Sequence, residues 1–246
     1  MAISSTSRGT GTNTTSSTSV AISPATNFTT TLPRAIAVLL IAYDNSMPSG
    51  ADPYSQTTDS HGNNWFTAIN SIGAATQNNG VVLRMLYSRM EVAQLTTASV
   101  ITIVFSAPCG NKAYGVYEIA TSLSGHQLGV IDSNSSTGTA LTGTVTITAN
   151  NSTNMVVGLF CGKGNATITA DADTTSGSWS TQITATTAGG TAAVQFASQT
   201  KSVTASGSQS YDPTLSSSEL FTSALIEIQE TQDIIHPFGS TGFFGT

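Results

Sequence analysis

The sequence predicts an all-β chain: an antiparallel β-sandwich, jelly-roll-like, of about ten to twelve strands, with extended N- and C-terminal arms. Three observations lead there. Apolar residues recur in alternating or unbroken runs of strand length, such as Ala35–Tyr43, Val81–Met90 and Val100–Phe105. Clusters of Gly, Pro, Asn, Asp and Ser separate these runs. The composition is 39% hydrophobic but only 8% charged, with 22 Gly, so Ser, Thr, Asn and Gln must supply the polar surface. Such a mixture favours strands and turns over helices. At 246 residues the chain can bury a sizeable core.

Residues 1–19 are Ser/Thr/Gly-rich and read as an extended polar arm outside the core. Val20–Ile22 with Phe28 suggests a short first strand. Pro33 introduces Arg34–Tyr43, whose unbroken apolar run predicts a strand covered on both faces. Asp44–Thr57, with Pro48, Gly50 and Pro53, is a surface loop. Thr58–Trp65 is the turn around which the middle of the chain is arranged. Asp59 can fold its carboxylate onto nearby amides, and Gly62 and Asn63 tolerate positive φ. A strand opens at Trp65 and Phe66, and Val81–Met90, Val100–Phe105 and Lys112–Ala120 follow.

Thr121–Gly143 reads as a long polar connection crossing between sheets. Thr144–Ala149 and Met155–Cys161 suggest a hairpin around Asn150–Asn154. Thr167–Ala170, Trp179–Thr187, Ala192–Ser198 and Leu220–Gln229 complete the strands. The organisation expected is therefore an arm over 1–19, one sandwich domain over 20–229 and an aromatic tail over 230–246. That tail carries Ile234, Ile235, Pro237, Phe238, Phe243 and Phe244 interleaved with Gly. These are residues expected to pack on the same domain or on a neighbouring chain.

Composition excludes several functions. A net charge of −6 with seven scattered basic residues does not suit phosphate neutralisation, so no nucleic-acid partner is expected. No apolar run approaches the length of a membrane span, and the N-terminus lacks the apolar core of a secretory signal. Cys109 and Cys161 read as buried thiols rather than a disulfide framework, and His61, His126 and His236 have no zinc-ligand spacing.

Chemistry-bearing residues are few. Asp59, Ser60 and His61 are the residue types of a hydrolase triad, but as neighbours in one turn their side chains diverge. Asp171 and Asp173, or Asp44, Asn45, Asp52 and Asp59, could offer oxygens to a hard cation, without the register of a calcium loop. Glu118 and Glu227 lie mid-strand; glycoside cleavage would require two acids across a groove. Tyr43, Tyr54, Trp65 and Trp179 could form a sugar platform or simply pack. The expectation is no catalytic residue, no cofactor and no metal.

Three motifs recur together: Ala42-Tyr43-Asp44-Asn45 ending an apolar strand, Asp59-Ser60-His61-Gly62-Asn63-Asn64-Trp65, and the aromatic–Glu pair of Tyr117-Glu118-Ile119. In this the chain resembles, over roughly residues 19–229, a group of β-sandwich proteins of tailed-bacteriophage virions and related prophage regions. The resemblance implies a non-enzymatic virion structural protein, assembled in the host cytoplasm. As a capsid decoration or cement subunit, it would contact other virion proteins through its terminal arms. It further implies a homo-oligomer, a trimer in preference, with neither nucleic acid nor membrane as partner. The alternative is a tail-associated receptor-binding or carbohydrate-binding module using the Asp44–Asp59 loop with Tyr54 or Trp65.

Overall fold

The computed structural model describes residues 3–30, 34–45, 51–73, 80–189 and 192–232. Sixteen strands and no α-helix occur among the described residues, and every pairing is antiparallel. In the first half of the chain they are β1 (Ile3–Asn13), β2 (Ser17–Ile22), β3 (Ala35–Asn45), β4 (Tyr54–Asp59), β5 (Phe66–Gly73), β6 (Gly80–Ser88), β7 (Ile101–Cys109) and β8 (Lys112–Thr121). In the second they are β9 (His126–Thr142), β10 (Val145–Ala149), β11 (Met155–Lys163), β12 (Ile168–Thr169), β13 (Ile183–Thr186), β14 (Val194–Ser202), β15 (Gly207–Tyr211) and β16 (Thr214–Gln232).

The sheets form four layers. A five-stranded sheet, β1-β8-β3-β6-β5, packs on one face against the sheet that contains β9, β16, β11, β14 and β13. Its other face is covered by β2-β7-β4. The outer face of the second large sheet is covered by β10-β15. Strand β3 explains the layering: Ile36, Val38, Leu40 and Ala42 enter the central core, while Ala37, Leu39, Ile41 and Tyr43 enter the outer one. An apolar run buried on both faces is what a middle-layer strand requires.

Strand order reveals a repeat. Adding eight to each strand of β1-β8-β3-β6-β5 gives β9-β16-β11-β14-β13, and β2-β7 becomes β10-β15. The burial phase repeats with it. Val20 and Ile22 face one outer core as Val145 and Ile147 face the other. The two halves lie face to face in opposite order, so that β5 packs beside β9 and β1 beside β13. Polar links join them at the ends of the strands: Lys163 pairs with Asp44, and the Thr121 hydroxyl donates to Glu230. A two-sheet wrap of eight strands, the jelly-roll part of the expectation, would put the fifth strand beside the fourth. Here β5 lies beside β6.

Four expectations need correction. Residues 3–13, expected within the polar arm, form an edge strand paired with β8 from Ile3↔Thr121 to Asn13↔Lys112. Ile3 is buried in the central core and Arg8 is buried against Glu118. Composition hid this, because alternate Ser and Thr suit a strand whose partner lies a hundred residues away as well as they suit a loose arm. Within Thr121–Gly143, expected as a connection, β9 is a strand paired with β16 along most of its length. Strands β10 and β11 make no hairpin: β10 pairs with β15, and β11 lies between β14 and β16. Among the described residues the count is sixteen strands where about ten to twelve are expected, because the eight-strand pattern occurs twice around one shared core.

Candidate functional site

The turn at Asp59–Trp65 is a closed hydrogen-bond unit. Asp59 accepts the His61 and Asn63 amides on Oδ1, at 2.8 and 3.2 Å, and the Trp65 indole N–H on Oδ2 at 2.8 Å. Gly62 sits at φ +77°, the conformation a glycine takes without steric cost. Asn63, buried, accepts the Val92 and Ala93 amides and donates to the Ala93 carbonyl at 3.0 Å. His61 Nε2 lies 2.7 Å from Ser99 Oγ, so the ring is tied to the loop before β7 and Asp59 to the indole. These residues form no nucleophile–base–acid relay. Their arrangement anchors Trp65 against the outer core.

Glu118 and Glu227 occupy equivalent places on β8 and β16, both buried and both facing an outer core. Glu118 accepts Arg8 Nε at 2.8 Å, a second bond from Arg8 Nη2, and the Thr30 amide at 2.7 Å. Burial alone would push its carboxyl up; Arg8 and the Thr29 and Thr30 amides outweigh it and hold the group below the usual carboxylate range. Glu227 accepts the Asn150 amide at 3.1 Å and Asn154 Nδ2 at 2.5 Å. In each half the buried glutamate ties down the connection that leads into the central strand, β3 or β11. The two acids lie in separate outer cores, on opposite sides of the stack, and do not face each other across a groove.

The acids expected as cation ligands are likewise dispersed. Asp44 pairs with Lys163 and accepts the Asn111 amide at 3.0 Å. Asp52 pairs with Arg84 and accepts the Tyr43 hydroxyl, whose pKa burial, reinforced by Asp52, raises well above its ordinary value. The Arg84 guanidinium lies 3.7 Å from the Tyr54 ring centroid and covers it. Asp171 accepts the Asp173 and Asp212 amides at 2.8 and 2.9 Å. Burial and Asp171 push the Asp212 carboxyl up to about 6. No group of three metal-ligating side chains converges among the described residues. Cys109 of β7 and Cys161 of β11 are buried thiols in different cores, on either side of the first large sheet. Residues 46–50 of the Asp44–Asp59 loop lie outside the described residues. So do Ile234, Ile235, Phe238, Phe243 and Phe244 of the tail.

Among the described residues there are also concave surfaces that the sequence reading missed: a polar hollow of about 270 Å³ lined by Asn165, Thr167, Thr184, Thr186 and Gln195, and a second with aromatic walls. At the corner where β5 meets β9, a groove of about 260 Å³ is lined by Thr67, Ala68, Tyr87, Val130, Ile131, Asp132 and Ser133. Phe66 packs beside Tyr87 with ring centroids 5.4 Å apart and planes tilted by 33°. Phe66 is 45% exposed and Ile131 41% exposed. Arg84 Nη1 donates to Thr67 Oγ1 at 3.0 Å, and the Ser133 amide donates to Asp132 Oδ1 at 2.8 Å. Alternation placed Phe66 on a strand, but only the β5–β6 register, Phe66↔Tyr87, brings the two rings together.

No protein-family model, curated protein or solved structure matches this chain.

Proposed function

We propose that the protein is a non-enzymatic structural subunit of a tailed-bacteriophage virion, mounted on the head as a decoration or cement protein. The observation that carries this reading is where the chain's conspicuous carboxylates go. Asp44, Asp52, Asp59, Glu118 and Glu227 each hold a turn, a strand entry or a junction between the two halves. Three of them, Asp44, Asp59 and Glu118, belong to the motifs behind the virion resemblance, and each holds scaffold here. A four-layer stack with one core common to both halves is a stiff block suited to sitting on a shell.

On this reading neighbouring virion proteins are the partners, and the segment after Gln232, with its phenylalanines, supplies contacts to them. Deleting Asp233–Thr246 should abolish attachment to particles while leaving the β-sheet circular-dichroism spectrum unchanged. Attachment that survives the deletion would remove the tail from the account.

A further inference from the structure

The groove between β5 and β9 carries side chains that its counterpart in the other half lacks. In the first half Phe66 of β5 pairs with Tyr87 of β6; in the second, the isolated bridge Trp179↔Lys201 sets Ser180 beside Thr200, and these correspond to Phe66 and Tyr87 when Trp179 is matched to Trp65. There the Ser180 amide donates to the Thr200 carbonyl at 2.7 Å, and the Thr200 amide donates to Ser180 Oγ at 2.9 Å. On that side the corner is closed by Ser5 Oγ, 2.6 Å from Thr200 Oγ1. The corresponding contact is thus made once by two small hydroxyl residues and once by two aromatic rings, one of them nearly half exposed. Architecture does not ask for aromatics at this position, and exposing Phe66 and Ile131 to water is unfavourable.

We propose that the β5–β9 groove binds one ring of a neutral saccharide. The aromatic surface of Tyr87 and Phe66 takes the apolar face of the sugar. Asp132 and Ser133 take its hydroxyls. Asp132 Oδ1 already accepts the Ser133 amide, which leaves Oδ2 to accept from a ligand. Charge and size both select this class. The lining itself holds one carboxylate and no cation, which disfavours an anionic ligand. At about 260 Å³ the groove is just below the usual range for drug-sized ligands. A second protein chain would need an interface of about 1,200 Å² or more, far larger than this corner. The proposal is independent of where the protein resides.

The test uses the full chain and isothermal titration with neutral trisaccharides of glucose, galactose and N-acetylglucosamine, with an acidic trisaccharide as control. At least one neutral trisaccharide is expected to bind with a Kd of about 1 mM or tighter. The double substitution Phe66→Ser/Tyr87→Thr, which installs the pair present in the other half, should weaken binding at least about tenfold. Phe66→Ser alone removes an already exposed ring and should show the same direction with an unchanged thermal midpoint. Asp132→Asn should weaken binding about threefold or more. Failure of every neutral trisaccharide to bind, or binding unaltered by the double substitution, would overturn the proposal. So would sedimentation showing that the wild type self-associates and that Phe66→Ser alone abolishes it.

Discussion

Glu118 joins two segments that no local rule connects: the edge strand β1, through Arg8, and the entry to β3, through the Thr29 and Thr30 amides. Both charged partners are buried, so removing one leaves the other uncompensated. Arg8→Ala should therefore lower stability by about 3–5 kcal/mol, measured by urea unfolding at neutral pH. The pH dependence follows from the direction of the Glu118 shift. Its folded-state pKa is depressed, so its contribution is complete above the unfolded value of about 4.3 and is lost as pH falls through the lower folded value. Wild-type stability should decline below about pH 4 more steeply than that of Glu118→Gln. A parallel decline in the two proteins would refute the assignment. The sequence showed Glu118 mid-strand beside Tyr117 but could not show Arg8 as its partner, because the pair is bonded across the β1–β8 register.

At the scale of elements, β1 is the instructive case. Composition marks it as an arm, yet it closes one edge of the first large sheet and carries Ile3 into the central core. Deleting residues 2–14 would expose the β8 edge and strand Glu118 without its cation. The thermal midpoint should then fall by at least about 10 °C, where a loose arm could be removed with no change. Strand β9 was hidden for the same reason: its Ser, Thr, Asn and Gly read as a connection, and only the length of β16 beside it makes it a strand. By contrast β3, β6, β8 and β11 were legible, because strands covered on both faces must be apolar almost throughout, and β7, in an outer layer, was legible from its alternation. The Asp59–Trp65 turn was legible too, since its chemistry is local. Its spacing recurs as Asp173–Trp179 in the second half, where Asp173 accepts the Thr175 amide at 2.8 Å and Lys201 lies 5.4 Å from the Trp179 ring. Few other positions agree between the halves, which is why the repeat is visible in strand order before it is visible in sequence.

For the whole molecule, the central core is the governing feature. Leu40, Leu83 and Ile119 from the first half meet Val157, Phe196 and Ile226 from the second, so neither half buries its inner face alone. Residues 1–122 and 123–246 expressed separately should each fail to give a cooperative unfolding transition, whereas the intact chain should unfold in one. Two independent transitions in the intact chain would contradict the shared core. The antiparallel sandwich class was legible in the alternation and turn spacing; the four-layer doubling was not, because apolar strands do not say which sheet covers which face. The aromatic corner at Phe66 and Tyr87 was hidden likewise, being made by register and by the meeting of two halves. The account's central functional claim concerns the place of this block on a particle. Its most direct test is immunogold labelling of purified virions with antibody raised against residues 20–229. Gold spread over the head is the predicted result. Gold confined to the tail tip, or particles without gold, would contradict it.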